Sequence, residues 1–257
     1  MRGGAKYGDK KVVDGMEYDG LYDSFVKKGM GICVEEMTSK YNITRKEMDE
    51  YTIATYERYL AAKSSGYIAK EITGVGSIID DDQPKKYNKE KISLLLPVFG
   101  KKGKITAASA SPLSDGAAAL LLCSQKYAKD AKLIPRAKVL AYADAEVPSH
   151  EFPVAISYAI SNALKKANLK IEDIGCFEVN EAFAAVPIIV ERMLGISRIK
   201  MNMHGGAIAI GHPLGTSGAR IIGTLLCIME AKNIQYGCAG ICNGGGGGTA
   251  VIIERLY

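Results

Sequence analysis

The sequence predicts a layered α/β fold in which helices cover a sheet, and two observations support this prediction. Beyond about residue 105, apolar runs of strand length alternate with segments of helical periodicity. Elements that alternate in this way pack as layers around a sheet. With 257 residues and a hydrophobic content of 47%, the chain is also long enough to bury a sizeable core. One large or two small globular domains are therefore expected.

The first hundred residues differ in texture from the rest. Residues 1–20 are rich in Gly, Asp and Lys without a sustained period, which indicates a surface arm. A helix is predicted over residues 44–65, because Thr44-Arg45-Lys46-Glu47 forms a capping-box pattern. Residues at helical spacing follow it: Met48, Tyr51, Thr55, Tyr59 and Ala62. The polar span after this helix is predicted to be a loop, with room for one short strand.

The strands and helices of the α/β region are predicted after residue 105. The run 117–123 is continuously apolar and of strand length, which is typical of a strand buried on both faces of a sheet. Residues 156–167 carry an apolar stripe at helical spacing. The other predicted elements are strands at 136–145, 174–179, 236–242 and 249–254 and a helix at 216–231. Five consecutive glycines separate the last two strands.

The charge of the chain is mildly basic. The formal net charge is +5, which favours an anionic ligand but is too diffuse to indicate nucleic acid. One polar stretch is crowded with lysines: Lys85, Lys86, Lys89, Lys91, Lys101, Lys102 and Lys104. A solvated loop is the ordinary interpretation of this stretch, and attraction of nucleotide phosphates is the alternative.

The cysteines and the apolar runs bear on the compartment. The six cysteines lack the dense spacing of a disulfide scaffold, which indicates a reducing compartment. Cys123, Cys176 and Cys227 lie inside apolar runs, where a free cysteine behaves as a small hydrophobe. No apolar run reaches the length of a membrane helix, so no membrane association is expected. Met1-Arg2-Gly3-Gly4 carries no targeting pattern, and mitochondrion and cytoplasm both stay open.

His212 is the first candidate for chemistry. It lies in Gly211-His212-Pro213, a turn that leads into the helix predicted at 216–231. Turns at helix starts present N–H groups and the positive end of the helix dipole to anions. An imidazole there is suited to donate a hydrogen bond to a developing oxyanion. A purely structural histidine is the alternative.

Cys242 is the second candidate, because it stands directly before five glycines. The open backbone of a glycine run lets a substrate approach closely, and such runs form nests of N–H groups that bind anions. The alternative is a tight hairpin with an inert cysteine at the strand end. No Gly-Lys-Ser/Thr ending follows, which disfavours a phosphate-binding P-loop. A metal site built from Cys238, Cys242, His204 and His212 lacks a recognised ligand spacing.

Two further segments are informative only in combination with these. Asn180 follows the strand predicted at 174–179, and side chains at strand ends of α/β proteins reach a ligand crevice. An ordinary helix N-cap is the alternative for Asn180. The run 106–111 consists of small residues, which allow close approach of a ligand.

Taken in order, these blocks resemble the thiolase family. The resemblance rests on Asn180-Glu181-Ala182-Phe183, Gly211-His212-Pro213 and Cys242-Asn243-Gly244-Gly245-Gly246, together with the small-residue run 106–111. It extends over the whole chain, from Arg2-Gly3-Gly4 to Leu256. Asp115-Gly116-Ala117-Ala118-Ala119 and the run after Cys242 are similar to the biosynthetic branch, the acetoacetyl-CoA thiolases. The fold this implies is a thiolase-like layered α/β/α architecture.

The resemblance implies acetyl-CoA C-acetyltransferase chemistry, the condensation of two acetyl-CoA molecules to acetoacetyl-CoA and its reverse. Cys242 matches the cysteine that removes a proton from the methyl carbon of acetyl-CoA. His212, with a water held by the residue matching Asn180, stabilises the thioester oxygen. Ser111 matches a serine near the pantetheine chain. No cofactor beyond the acetyl-CoA and CoA substrates is implied, and no nucleic acid or membrane partner.

A potassium ion is also implied, as in the potassium-activated members of the family. Tyr56 is expected to contribute both to it and to CoA binding. The positions matching the potassium site are Tyr56, Ala107, Ala108, Ala110 and Ile208. The family usually has valine where Ile208 stands, and its carbonyl oxygen serves equally well. The other departures are Ser109 for Asn, Pro112 for a small residue, and Pro187 in the helix after Asn180, which is expected to bend that helix unless it falls in the first turn.

The family's acyl-accepting cysteine has no counterpart in this sequence. Cys33 matches a position in the loop domain and does not substitute for it. The resemblance divides the chain into a loop domain (1–104), a remnant of the N-terminal domain (105–134) and the C-terminal domain (135–257). The chain alone is therefore expected to be incomplete for the two-step reaction, and the whole protein to form a homo-oligomer, a dimer or tetramer. A non-catalytic CoA-binding or scaffold protein and a degradative 3-ketoacyl-CoA thiolase are the alternatives.

Overall fold

The computed structural model describes residues 7–256. Arg2-Gly3-Gly4 and the start of the predicted surface arm lie outside this range. The helices of the described residues are α1 (Gly15–Gly20), α2 (Met30–Lys40), α3 (Arg45–Ser64), α4 (Lys89–Ile92), α5 (Gln125–Asp130), α6 (Phe152–Ala167), α7 (Ala185–Leu194), α8 (Ala207–Ile210) and α9 (Ser217–Lys232). The strands are β1 (Tyr22–Asp23), β2 (Lys28–Gly29), β3 (Ala137–Glu146), β4 (Cys176–Val179), β5 (Tyr236–Asn243) and β6 (Gly247–Arg255).

The main sheet has four strands in the order β3-β6-β5-β4. β4 runs parallel to β5, whereas β6 is antiparallel to both of its neighbours. The chain turns from β5 into β6 at the glycine run, where Gly245 and Gly246 have positive φ. A side chain at Gly246 would overlap the carbonyl oxygen of Val147, so only glycine fits there.

Helices cover both faces of this sheet, as the layered α/β prediction requires. α6 packs on one face, where Ile156 and Ile160 contact the strand residues Phe177 and Val179 in one buried cluster. α9 packs on the other face, against Cys176 and Ile253 among others. The strict alternation of side chains along each strand sends neighbouring residues to opposite layers.

A third cluster joins α2, α3 and α7 to the sheet layers. The helix predicted at 44–65 is confirmed as α3. Thr44 accepts the amide of Glu47, and the Glu47 carboxylate accepts the amide of Thr44, which completes the capping box. α2 was not predicted from sequence, because its buried residues include small and polar types such as Gly31, Cys33 and Thr38.

The predicted elements after residue 135 are confirmed in type and approximate position. Pro187 is the third residue of α7, within the first turn, where its missing N–H would have had no partner in the helix. No bend is therefore required there. The polar span after α3 forms the short helix α4 and 3₁₀ turns instead of a loop with a strand.

The strand predicted at 117–123 is wrong. This segment has no strand partner among the described residues, and Leu121 and Leu122 are 94% and 71% exposed. Cys123 is likewise exposed instead of acting as a small core residue. A continuously apolar strand is stable within a sheet whose two faces are covered, and no strand of the described residues pairs with this segment to place it in one.

Among residues 7–256, no helix combines the length and the apolar content needed to cross a membrane.

Candidate active site

The carboxyl ends of β4 and β5 carry two of the predicted site residues. Because these strands are parallel and adjacent, their carboxyl ends lie at one edge of the sheet. Asn180 follows β4 directly, and its backbone N–H donates to the carbonyl oxygen of Gly240 over 2.9 Å. Cys242 is two residues further along β5. Asn180 is not a helix N-cap, since Ala184 holds that position before α7.

His212 meets Asn180 at this edge. Nδ2 of Asn180 lies 3.3 Å from Nε2 of His212, and Nδ1 of His212 lies 2.6 Å from Oγ of Ser217 at the start of α9. The backbone N–H of His212 also donates to the carbonyl oxygen of Pro112. Gly211 has a φ of +108°, and a side chain there would overlap Ser114. The turn is thus shaped by glycine so that the imidazole reaches Asn180.

The imidazole of His212 is neutral at physiological pH. Burial lowers the pKa of His212 to about 4, and the guanidinium of Arg220 adds to this lowering. A neutral imidazole has one N–H and one acceptor nitrogen. Nδ2 of Asn180 can only donate, so Nε2 accepts in this contact and the imidazole proton lies on Nδ1, where the Ser217 hydroxyl oxygen accepts it. Oδ1 of Asn180 is buried without a hydrogen-bond partner among the described residues.

Cys242 lies where two apolar clusters meet and packs against both. Burial raises the pKa of Cys242 to about 12. The thiolate is therefore scarce in the free site, on the order of 10⁻⁴ of the thiol at pH 8. Because a higher pKa of the thiol means a more basic thiolate, a thiolate formed there is a strong base.

We expect Cys242 to react with iodoacetamide only slowly at neutral pH, because the thiolate is the nucleophile. Its alkylation rate should rise about tenfold per pH unit from pH 8 to pH 11. Peptide mass spectrometry at each pH measures this, with exposed Cys123 as the internal comparison. A rate for Cys242 that levels off below pH 9 would contradict the raised pKa.

Glu181, next to Asn180, ties the site to α3. Its side chain is fully buried. Oε1 accepts hydrogen bonds from Tyr51 (2.7 Å) and from Nδ2 of Asn202 (2.8 Å), and the Thr55 hydroxyl donates over 2.9 Å. Oε2 accepts the backbone N–H of Ile208 over 3.1 Å, and Ile208 is part of α8, which runs directly into Gly211. One carboxylate thereby holds both the Asn180 segment and the His212 turn.

Sequence reasoning did not identify Glu181 as a hydrogen-bond hub, that is, as one carboxylate that accepts hydrogen bonds from several distant residues. The available signal was an acidic residue inside an otherwise apolar segment that is followed by α7. A buried carboxylate is stable only where donors surround it, and those donors come from positions 51, 55, 202 and 208, far apart in the chain.

Ser111 lies against the same segment. Its backbone N–H and its hydroxyl both donate to the carbonyl oxygen of Ala182 over 3.0 Å. An open cavity of about 660 Å³ adjoins His212, and Leu113, Ser114 and Met16 also line it. Asn180 and Cys242 are not part of its lining. The structure therefore brings Asn180 and His212 into contact, ties Ser111 to Ala182, two residues after Asn180, and places Cys242 near the end of the adjacent strand β5.

The positions expected to hold potassium are only partly brought together. Tyr56 and Ala108 line one cavity of about 180 Å³. Tyr56 also shares an apolar cluster with Ile208 and Ala110, whereas Ala107 is exposed. No backbone amide of residues 7–256 donates to the carbonyl oxygens of Ala107 or Ala108. The Tyr56 hydroxyl oxygen accepts a hydrogen bond from Nε2 of Gln83 over 3.0 Å and keeps a second lone pair. Carbonyl and hydroxyl oxygens suit a hard cation, so the donor set is compatible with one.

Within the described part of the chain, no group of three or more His, Cys, Asp or Glu side chains is placed to hold a metal ion.

This chain belongs to the thiolase family. The family models for the thiolase N-terminal and C-terminal domains match residues 1–126 and 133–255. A probable acetyl-CoA acetyltransferase of Dictyostelium discoideum is 42% identical over 100% of this chain and 64% of its own length. The mitochondrial acetyl-CoA acetyltransferase A of Xenopus laevis is 44% identical over 99% of the chain and 63% of its own length.

Solved structures agree on the fold. The Acat5 thiolase of Ascaris suum in complex with coenzyme A has a TM-score of 0.92 and 36% identity, covering 100% of this chain and 68% of that one. Human mitochondrial 3-ketoacyl-CoA thiolase has a TM-score of 0.90 and 34% identity, covering 100% of this chain and 67% of that one. The predicted thiolase family and thiolase-like α/β fold are confirmed. The chain spans slightly less than two thirds of the length of the first relatives described above.

Proposed function

We propose that this chain carries the proton-abstracting and oxyanion-stabilising half of an acetyl-CoA C-acetyltransferase. The observation that carries the proposal is the contact between Asn180 and His212 at the edge of the sheet where β5 brings Cys242. The names of the sequence relatives, acetyl-CoA acetyltransferases of cytosol and mitochondria, support this substrate class. Either compartment is compatible with the proposal.

In the proposed reaction, the Cys242 thiolate removes a proton from the methyl carbon of acetyl-CoA. The electron pair of the broken C–H bond is delocalised onto the thioester oxygen. When the thioester is bound, the Asn180 amide turns from Nε2 to hold a water, and neutral His212 adopts the tautomer with its proton on Nε2. The Ser217 hydroxyl then donates to Nδ1, and the Nε2–H donates to the thioester oxygen together with the water held by Asn180. Because these donors are oriented before the charge develops, they stabilise the enolate more than the ground state.

The carbanion then attacks the thioester carbon of an acetyl group held on a second cysteine, whose thiolate leaves as acetoacetyl-CoA forms. The resemblance matches no residue of this chain to that acyl-accepting cysteine. The proposal for the residues present is therefore limited to proton transfer at carbon and stabilisation of the enolate oxygen.

The remaining expectations from the resemblance belong to the same proposal. Residues 1–104 form the loop domain, 105–134 the remnant of the N-terminal domain and 135–257 the C-terminal domain. Ser111 lies beside the pantetheine chain of the bound thioester, and Tyr56 contributes to CoA binding. A potassium ion, bound by the Tyr56 hydroxyl and the carbonyl oxygens of Ala107, Ala108, Ala110 and Ile208, would order this region. The protein assembles as a homo-oligomer.

The half-reaction can be tested without the second cysteine. Acetyl-CoA is incubated with the protein in D₂O, and methyl deuteration is followed by mass spectrometry. We expect exchange well above the protein-free rate, background exchange in Cys242→Ala, and unchanged exchange in Cys123→Ala as the matched cysteine control. If wild-type protein exchanges no faster than buffer, the chain is better described as a non-catalytic CoA-binding protein.

A degradative 3-ketoacyl-CoA thiolase is the second candidate, because human mitochondrial 3-ketoacyl-CoA thiolase matches the same fold at 34% identity. The two functions differ in acyl-chain length. Comparing exchange of acetyl-CoA with that of longer acyl-CoA thioesters, with and without potassium, distinguishes them. A preference for the acetyl group is the outcome expected for the biosynthetic function.

A further inference from the structure

A buried contact between Glu178 and Arg220 joins β4, the strand that Asn180 follows, to α9, the helix that carries Ser217. Oε2 of Glu178 on β4 is 3.6 Å from Nη1 of Arg220 on α9, and the two side chains are 1% and 17% exposed. Oε1 of Glu178 has no hydrogen-bond partner among the described residues. Nη1 of Arg220 likewise has none. Burial raises the pKa of Glu178 well above its usual value although the Arg220 guanidinium opposes this rise, so the neutral carboxyl is favoured. Neither side chain has a role in the proton transfer described above.

Each residue of the pair is close in sequence to the site: Glu178 lies two residues before Asn180, and Arg220 lies within one helical turn of Ser217, which contacts His212. Glu178 precedes Asn180 by two residues along β4. Arg220 lies three residues after Ser217, in the first turn of α9, and the Ser217 hydroxyl contacts Nδ1 of His212 over 2.6 Å. Residues three apart on a helix lie on the same face. The pair therefore bridges the two elements that carry Asn180 and the support of His212.

We propose that Glu178 and Arg220 are positioning residues that hold the end of β4 against the first turn of α9, so that Asn180 and His212 remain in contact. A buried polar pair by itself adds little stability, so a positioning role gives a physical reason for a carboxyl and a guanidinium where apolar side chains would pack at lower cost. The role of this contact in catalysis rests on the proposed function. The positioning itself does not.

Arg220 faces acidic groups from several elements. Besides Glu178 on β4, the carboxylates of Glu71 and Asp81 are close enough for electrostatic attraction to the Arg220 guanidinium. Glu71 also accepts a hydrogen bond from Thr224 on α9. The positive charge of Arg220 also disfavours protonation of the His212 ring. Loss of the guanidinium should therefore change the His212 titration as well as its position.

The test uses NMR of ¹³C-histidine-labelled full-length chain without substrate. The chain has three histidines, and the variant His212→Asn assigns the signal. In wild type we expect a His212 titration near pH 4 and a nuclear Overhauser contact between its ring and the Asn180 side-chain amide. Arg220→Met should abolish this contact and raise the His212 midpoint, because the guanidinium no longer disfavours the imidazolium. Arg220→Lys, which keeps the cation, should restore the midpoint.

The matched control is Arg136→Met, which removes the exposed ion pair that Arg136 forms with Glu230 on α9. It should leave the His212 titration and the contact unchanged. Glu178→Gln keeps the shape of the side chain and serves if Arg220→Met does not fold; it should also weaken the contact. Unchanged His212 signals in both Arg220→Met and Glu178→Gln, or equal changes in Arg136→Met, would overturn the proposal.

A second measurement separates this proposal from the proposed function. In the deuterium-exchange assay, Arg220→Met should lower the exchange rate about tenfold with little change in the acetyl-CoA concentration for half-maximal rate. Absence of exchange in wild type would refute the enzymatic function and leave the NMR result as the test of positioning. An exchange rate of Arg220→Met equal to that of wild type would show that the pair has only a structural role.

Discussion

Replacing Glu181 by leucine is expected to lower the free energy of unfolding by about 3 kcal/mol or more. The carboxylate accepts hydrogen bonds from Tyr51, Thr55, Asn202 and the backbone N–H of Ile208, all in a buried setting. Removing one acceptor leaves several buried donors unsatisfied, at ~1–3 kcal/mol each when water cannot replace the acceptor. The loss therefore exceeds that of an ordinary core substitution.

Urea unfolding followed by circular dichroism measures this loss. The matched control is Glu36→Leu, which removes an exposed carboxylate paired with Lys28 and should cost at most ~1 kcal/mol. Glu181→Gln should fall between the two, because its amide keeps one acceptor oxygen and replaces the other with a donor that opposes the N–H of Ile208. If Glu181→Leu is no less stable than Glu36→Leu, the hydrogen-bond hub does not hold the chain together.

The largest expected effect on chemistry comes from His212→Ala. This substitution removes the Nε2–H that the proposal directs at the enolate oxygen. Loss of one such donor costs about 2.7–4 kcal/mol of barrier, which corresponds to a rate lower by roughly 10²–10³. The deuterium-exchange rate of acetyl-CoA should fall by that factor. The fold should persist, since His212 is only half-buried and lies in a turn.

Two variants complete this experiment. His150→Ala, at an exposed helix start beside Glu151, is the matched histidine control and should exchange like wild type. The double variant Asn180→Ala/His212→Ala should be little slower than His212→Ala alone, because the two side chains act on one oxygen as a unit. Additive losses would mean that Asn180 and His212 act at separate places. The exchange should also stay insensitive to His212 protonation above pH 6, because the pKa of this residue is about 4 in the folded chain.

The pattern of elements was readable because it depends on local rules. The capping box at Thr44, the apolar stripe of α6 and the glycine turns before α9 and between β5 and β6 are all properties of neighbouring residues. The failure at 117–123 has the same origin. An apolar run indicates that a segment requires apolar surroundings, but it does not indicate whether other strands are present to pair with that segment.

The sequence by itself determined the fold class, the family and three chemically able side chains, Asn180, His212 and Cys242, because these lie in short motifs with distinctive spacing. Only the tertiary structure decided their surroundings: the contact of Asn180 with His212, the hub at Glu181 and the pair of Glu178 with Arg220. It also decided that His212 is neutral and that Cys242 is a weak acid. The physical reason is that burial and hydrogen-bond partners come from residues distant in the chain, whose proximity no local pattern records.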